Sequence, residues 1–197
     1  MSSLAQHTHW IFDMDGTLTV ASHDFDKIRQ QLGIAEGLPI LEAIEKMPPD
    51  RASSMHRELH RLEMEIAEHS QPQPGAAEFL SSLQENGCKL GILTRNAEDI
   101  AHTTLYAAGL AEFFEPDRII GRERCEPKPD PAGIHLHLTQ WNTTVSTAVM
   151  VGDYLFDLQT GRNAGVTTVH FEPAGDFEWP ELTDIKSRSF AELRQYL

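Results

Sequence analysis

His9-Trp10-Ile11-Phe12 is a short apolar run that stops at Asp13-Met14-Asp15-Gly16-Thr17. A run of this length closed by a turn signal reads as a buried strand, and its end delivers two carboxylates. The same grammar recurs downstream. Lys89 to Thr94 is apolar and ends in Arg95-Asn96. Arg118-Ile119-Ile120-Gly121 is a shorter run, Thr147 to Val151 ends in Gly152-Asp153, and Val166 to Phe171 is rich in β-branched residues. Between the runs lie helix-like stretches: Ala76 to Asn86, Ala97 to Ala108, Asp130 to Trp141 and Leu155 to Ala164, three of them followed by a glycine at the next one or two positions. Ser189 with Glu192 has the spacing of a capping box that opens a last helix to Leu197. Alternation of strand and helix requires right-handed crossovers, so the fold class is α/β, a parallel sheet flanked by helices on both faces.

One segment breaks the alternation. From Leu18 to Gln73 only helical periodicity is found. Phe25, Ile28 and Leu32 fit one helix face, and Leu38, Leu41 and Ile44 fit another. Met55, Leu59, Leu62 and Ile66 define a third, which Pro48-Pro49-Asp50 starts and Gln71-Pro72-Gln73-Pro74-Gly75 ends. The expected organisation is a core of residues 1–17 and 74–197, with residues 18–73 forming a small all-helical cap inserted after the first strand. Ligands of open α/β sheets bind at the carboxyl ends of the strands, so an insertion at that point sits over the site.

Sixteen basic against 30 acidic residues give a formal net charge of −14. Such a polyanion is repelled by nucleic acid and by anionic membrane surfaces, so neither is an expected partner. No apolar run approaches the roughly 20 residues of a membrane span, and Met1 to His9 lacks the order of a secretory signal. Cys88 opens an apolar run and is expected to be a buried free thiol; with Cys125 as the other cysteine, the reading is a reducing, cytoplasmic compartment. The expected state is a monomer or weak dimer.

In a parallel sheet the strand ends share one edge, so Asp13 and Asp15, then Thr94, Arg95 and Asn96, then Lys128, then Asp153 and Asp157 converge there. Asp13 and Asp15 alternate around Met14 and share a side if extended backbone persists. Asp153 and Asp157 lie four residues apart at a helix start, where the dipole favours carboxylates. Four carboxylates brought together repel, and each would take a proton unless a cation is supplied. A hard divalent ion with oxygen ligands answers that need, and Mg²⁺ suits carboxylates combined with a substrate phosphate. Lys128 adds a fixed positive charge, and Thr94 adds a hydroxyl. The amides near Arg95 and Asn96 point from a helix start toward an anion. Together these form a phosphoryl-transfer kit.

Asp13-Met14-Asp15-Gly16-Thr17-Leu18, Thr94, Lys128 before Pro129, and Gly152-Asp153-Tyr154-Leu155-Phe156-Asp157, in that order, resemble the four motifs of the haloacid dehalogenase superfamily. The run Cys125-Glu126-Pro127-Lys128-Pro129-Asp130-Pro131 resembles its phosphoglycolate phosphatase-like branch. The resemblance implies a Rossmannoid core with a helical cap after the first motif. It implies that Asp13 is the nucleophile and a metal ligand. Asp15 is implied as general acid, then base, with its backbone carbonyl on Mg²⁺. Thr94 and the Asn96 region would bind the transferring phosphoryl group, and Lys128 would hold that group and orient Asp13. Asp153 would ligate Mg²⁺, with Asp157 ligating directly or through water. The activity so implied is hydrolysis of a small phosphorylated metabolite, a phosphoglycolate-like ester or a sugar phosphate, through an aspartyl phosphate. Two departures bear on substrate. Tyr154 stands where a small Ser or Thr is common, and the cap is short for this branch, which widens the entrance to leaving groups larger than a two-carbon acid.

Rival readings are separated by residues. A dehalogenase needs neither an acid at position 15 nor a metal, so Asp15 and Asp153 argue against it. A phosphonatase needs a cap lysine for a Schiff base, and the cap offers Lys27 and Lys46. A phosphomutase would share the same acidic residues, and a non-catalytic phosphate-binding module would not need all of them. Arg95 is read as either a substrate contact or a surface ion pair. His56 with His60 and His135 with His137 have metal-like spacing without metal-site context, and packing or solvated faces are expected instead. Arg51, Arg57 and Arg61 are expected to serve salt bridges within their helix, to Glu58 and Glu65. Phe25 and Trp141 are expected in the core.

Overall fold

A computed structural model describes residues 4–21 and 25–197. Six strands form one parallel sheet: β1 (His9–Phe12), β2 (Lys89–Leu93), β3 (Ile119–Ile120), β4 (Ala148–Gly152), β5 (Thr167–Phe171) and β6 (Ile185–Ser187). Their spatial order is β3-β2-β1-β4-β5-β6. The chain winds outward from β1 in one direction and resumes on the other side at β4, which makes the crevice between β1 and β4 the switch point where such sheets bind ligands. Phe12 pairs with Ile92 on one side and Val151 on the other, so these strands end at the same level.

Side chains alternate across the sheet and build two cores. Trp10, Phe12, Leu90, Ile92, Val149 and Val151 face one side, with α4 (Ala76–Glu85), α5 (Glu98–Ala107) and α8 (Phe190–Leu193) packed there. Ile11, Leu93, Ile120 and Met150 face the other, against α6 (Ala132–Trp141) and α7 (Leu155–Ala164). Phe79 on α4 is 2% exposed and meets the rings of Trp10, Phe12 and Phe190.

Between β1 and α4 lie α1 (Phe25–Leu32), α2 (Ile40–Glu45) and α3 (Pro49–Ala67). Pro48 precedes α3 and Pro49 opens it, where a missing amide hydrogen costs nothing. These helices have their own apolar cluster, built from Ile28, Leu32, Ile34, Ile44, Leu59 and Leu62. The outgoing and returning connections run side by side: Val20 N–H donates to the Gln71 carbonyl, and Gln73 N–H donates to that of Leu18.

Four particulars differ from expectation. β6 escaped notice because Ile185-Lys186-Ser187 is too short for its alternation to register. Leu38 is not on α2, which starts after Pro39, and it is 49% exposed. Cys88 is half-buried rather than buried, and it and Cys125 are both free thiols. Ser189 does accept from Glu192 N–H, but the Glu192 carboxylate answers to Arg188, and the helix tightens to 3₁₀ geometry at Arg194. Among the described residues no helix is long and apolar enough to cross a membrane. Phe79→Ala should cost about 3–5 kcal/mol, because a three-ring contact becomes a cavity that the sheet cannot collapse to fill; urea denaturation checks this.

Candidate active site

The site is built where β1 and β4 end. Asp13 leaves the end of β1 with its N–H donated to the Val151 carbonyl, which extends the sheet pairing by one bond. The chain then turns through Gly16, whose φ of +92° suits glycine. A Cβ at Gly16 would land on the Asp153 carboxylate, so the bare backbone is what lets the β1 turn close over the acid from β4. Gly152 serves likewise: a Cβ there would land on Asp157.

Oxygens of Asp13, Asp153 and Asp157 lie within 4.8 Å of one another. Lys128 is 4% exposed, and its Nζ donates to Asp13 Oδ1 and to Asp157 Oδ1, each at 2.5 Å. The other Asp157 oxygen accepts from Tyr154 N–H at 3.0 Å, which caps the start of α7. Thr17 Oγ1 donates to Asp153 Oδ1 at 3.1 Å. His170 Nε2–H donates to the Asp153 carbonyl at 3.2 Å, and its ring stacks on Trp179.

One ammonium does not balance three carboxylates. Burial, followed by the fields of Asp13 and Asp157, pushes Asp153 up to about 9. Burial likewise pushes Asp157 up to about 6 against the pull of Lys128, and raises Asp13. Burial alone would weaken the proton on Lys128, but the attraction of Asp13 and Asp157 outweighs it, and its affinity for the proton rises. Clustered carboxylates that resist ionisation, lined by oxygen donors and wrapped by two glycines, fit a hard divalent cation. Asp13, Asp153 and Asp157 are the residues that could hold it.

Asp15 lines the same cavity, but its carboxylate is turned to Asn96, whose Nδ2 donates to Asp15 Oδ2 at 2.6 Å. The Asp15 side chain is therefore not in the acidic triad. Thr94 is 5% exposed, and its Oγ1 accepts from Asn96 N–H at 3.1 Å, leaving the hydroxyl hydrogen for the cavity. Arg95 reaches across to Glu42 on α2, and its guanidinium lies 4.9 Å from the centre of the Phe156 ring. Of the two readings of Arg95, the structure shows an ion pair, half-buried and joining α2 to the loop after β2, at a residue that also lines the cavity. All eight candidate residues line one cavity of about 550 Å³, shared with Ile28, Ile40, Leu41 and Leu59 of the insertion.

Thr17, His170, Glu42 and Gln73, which donates to the Gly16 carbonyl, were missed as site residues. Thr17 stands inside the first motif; the others carry no local signal. Of the histidines in the two pairs, His60 bonds Asp99, and His137 is buried with Nε2–H donating to the Ile92 carbonyl. Arg61 pairs with Glu58 and Glu65 as expected. Trp141 packs at the edge of its core cluster.

A parallel sheet whose switch point holds an acidic triad and a buried lysine defines a class of α/β hydrolase. The chain belongs to the haloacid dehalogenase-like hydrolase family, whose model matches residues 10–171. It is 30% identical over 193 residues to an uncharacterized hydrolase of Saccharomyces cerevisiae, covering 93% of this chain and 87% of the yeast one. It is 30% identical over 180 residues to the pyrophosphatase PpaX of Listeria monocytogenes, covering 82% and 81%. A family IA, variant 3 hydrolase structure from Entamoeba histolytica superposes with a TM-score of 0.80 at 17% identity, covering 93% of this chain and 94% of that one.

The raised carboxylates make the metal-free native state hold protons that the unfolded chain has released. Its stability should therefore fall as pH rises from about 4 toward about 9. A divalent cation such as Mg²⁺ should raise the melting temperature, and more so at pH 8.5 than at pH 5.5 (approximate set points for the linkage). Thermal melts with and without the ion at both values check the sign.

Proposed function

We propose that the protein is a Mg²⁺-dependent phosphatase that hydrolyses a phosphate monoester through an aspartyl phosphate on Asp13. The observation that carries this reading is the pairing of two differently held acids in one cavity: Asp13, fixed by Lys128 beside Asp153 and Asp157, and Asp15, fixed by Asn96. Family membership supports it, as does the phosphoanhydride chemistry named for the Listeria relative.

Asp13 is the nucleophile. Lys128 orients its carboxylate and lowers the repulsion that an incoming phosphate dianion would meet. Bound at Asp13, Asp153 and Asp157, with the Asp15 backbone carbonyl as a further donor, Mg²⁺ would supply Lewis-acid neutralisation of the phosphoryl oxygens. An Asp13 oxygen forms a bond to phosphorus while the bond from phosphorus to the leaving oxygen breaks. Asp15 gives that oxygen its proton, so the alcohol leaves neutral. The Asp15 carboxylate then takes a proton from water, whose oxygen attacks phosphorus and restores Asp13 with release of inorganic phosphate. Asn96 holds Asp15 at the right place for both transfers. The Thr94 hydroxyl donates to a phosphoryl oxygen, and Arg95 and Asn96 border that position. Residues 18–73 act as a helical cap over the leaving group, and the working setting is cytoplasmic with a small phosphorylated metabolite as partner.

A generic phosphatase assay with and without Mg²⁺ tests the reading; absence of any metal-dependent turnover would refute it. Asp13→Asn should abolish turnover with the melt unchanged to within a few degrees. Asp15→Asn should lower kcat by about 10²–10⁴ and let phosphoenzyme accumulate, seen as an acid-stable mass increase on the intact protein. An undiminished rate in either variant contradicts the role assigned.

A further inference from the structure

Phosphoryl transfer uses only the floor of the cavity. The space above it is part of the same volume of about 550 Å³, far more than a phosphoryl group fills. Its walls are apolar: Ile28, Ile40, Leu41 and Leu59 come from the inserted helices, with Tyr154 and Phe156 from the start of α7.

Charge on these walls is already matched within the protein. Arg95 is paired with Glu42, Arg29 with Asp26, and Lys128 with Asp13 and Asp157. Among the described residues, these are the cations lining the cavity. A leaving group bearing a second anion, whether a carboxylate or another phosphate, has to displace a protein carboxylate to find a partner. An uncharged ring has no such competitor.

Tyr154 supplies what a ring would bind. It is 53% exposed, unusual for a residue whose ring is nonetheless fixed. Phe156 meets it at 5.4 Å and 82°, and Trp179 at 5.5 Å and 78°. Two edge contacts hold the ring in place, so a stacking partner would not have to immobilise it. Arg95 lies over the Phe156 ring, whereas Tyr154 lines the cavity with about half of its surface exposed. The main chain of Tyr154 caps α7, its N–H donating to Asp157 and its carbonyl accepting from the Asp157 and Leu158 amides.

We propose that Tyr154 is a stacking platform that selects phosphate monoesters whose leaving alcohol carries a planar, uncharged aromatic ring. This rests on the phosphatase reading above and narrows its substrate away from phosphoglycolate.

The test is a comparison of kcat/KM at fixed Mg²⁺ for benzyl phosphate, ethyl phosphate, 2-phosphoglycolate and inorganic pyrophosphate. Benzyl alcohol is an ordinary aliphatic leaving group, so leaving-group acidity does not mimic ring binding. Benzyl phosphate should exceed each of the others by about tenfold, the factor expected of one stacked ring. Tyr154→Ser should collapse the benzyl-to-ethyl ratio toward one, mainly through KM, and Tyr154→Phe should keep it. A ratio near one in the unaltered protein, a ratio unmoved by Tyr154→Ser, or a preference for phosphoglycolate or pyrophosphate overturns the proposal. If no ester is hydrolysed, the phosphatase reading fails, and calorimetry with benzylphosphonate and methylphosphonate decides the platform separately. Tighter binding of the benzyl compound, lost in Tyr154→Ser, upholds the platform. Equal binding, or none, overturns it.

Discussion

Among the described residues Lys128 is the only ammonium within a buried knot of three carboxylates, and the architecture around it follows from that imbalance. Taken out of water, Asp13, Asp153 and Asp157 cannot all be ionised beside one positive charge. Removing the repulsion by spacing them apart would dismantle the crevice between β1 and β4. The fold instead keeps them close with two glycines and one helix cap, and leaves the remaining charge to be met from outside. A site under that electrostatic tension is poised for a cation, because added positive charge relieves the repulsion among the three carboxylates.

Much of this was legible in the chain because its parts lie at punctuation marks. β1, β2 and β4 are runs of apolar residues buried on both faces, and each ends in polar residues that such a run cannot contain. Once the strands are parallel, chain order fixes which ends meet, and Asp13, Asp15, Thr94, Lys128, Asp153 and Asp157 fall together without knowledge of any side-chain position. The helices of the insertion were legible from periodicity, as Leu59 and Leu62 show. β6 was not, since three residues at a sheet edge offer one alternation and no run.

What stayed illegible is what depends on how one element leans on another. Nothing near Glu42 marks it as the partner of Arg95, and nothing near Gln73 marks it as a brace for the Gly16 turn. His170 lies within an apolar strand, and only the packing of β5 beside β4 brings it to the Asp153 carbonyl. Nothing in the sequence marks the Asn96 side-chain amide as the partner of Asp15, a contact made where the loop after β2 lets Thr94 accept the Asn96 N–H. Each of these is a tertiary choice among groups that would be equally satisfied by water.

The inserted helices divide their work along the same lines. α3 is fastened to the core: Glu63 pairs with Arg122, His60 with Asp99, and Met64 and Ala67 pack with Ala97 and Ile100. α1 and α2 present Ile28, Ile40 and Leu41 to the cavity, and α2 meets the core through the Arg95–Glu42 bridge. The His60–Asp99 and Arg95–Glu42 pairs join partly exposed side chains and contribute little to stability on their own, so the buried Glu63 with its Arg122 partner and the apolar seam under α3 do more to hold the insertion. The value of Glu42 lies elsewhere. By satisfying Arg95 it removes an attraction that a second anion in the cavity would feel, so under the phosphatase reading proposed above the leaving group would be selected by shape and surface while Lys128 and the acidic triad met the charge at phosphorus. Selection by Tyr154, as proposed above, would then sit on the same wall as the acids, since Tyr154 lies between Asp153 and Asp157 in the chain, while the insertion supplies the facing apolar wall of Ile28, Ile40 and Leu41.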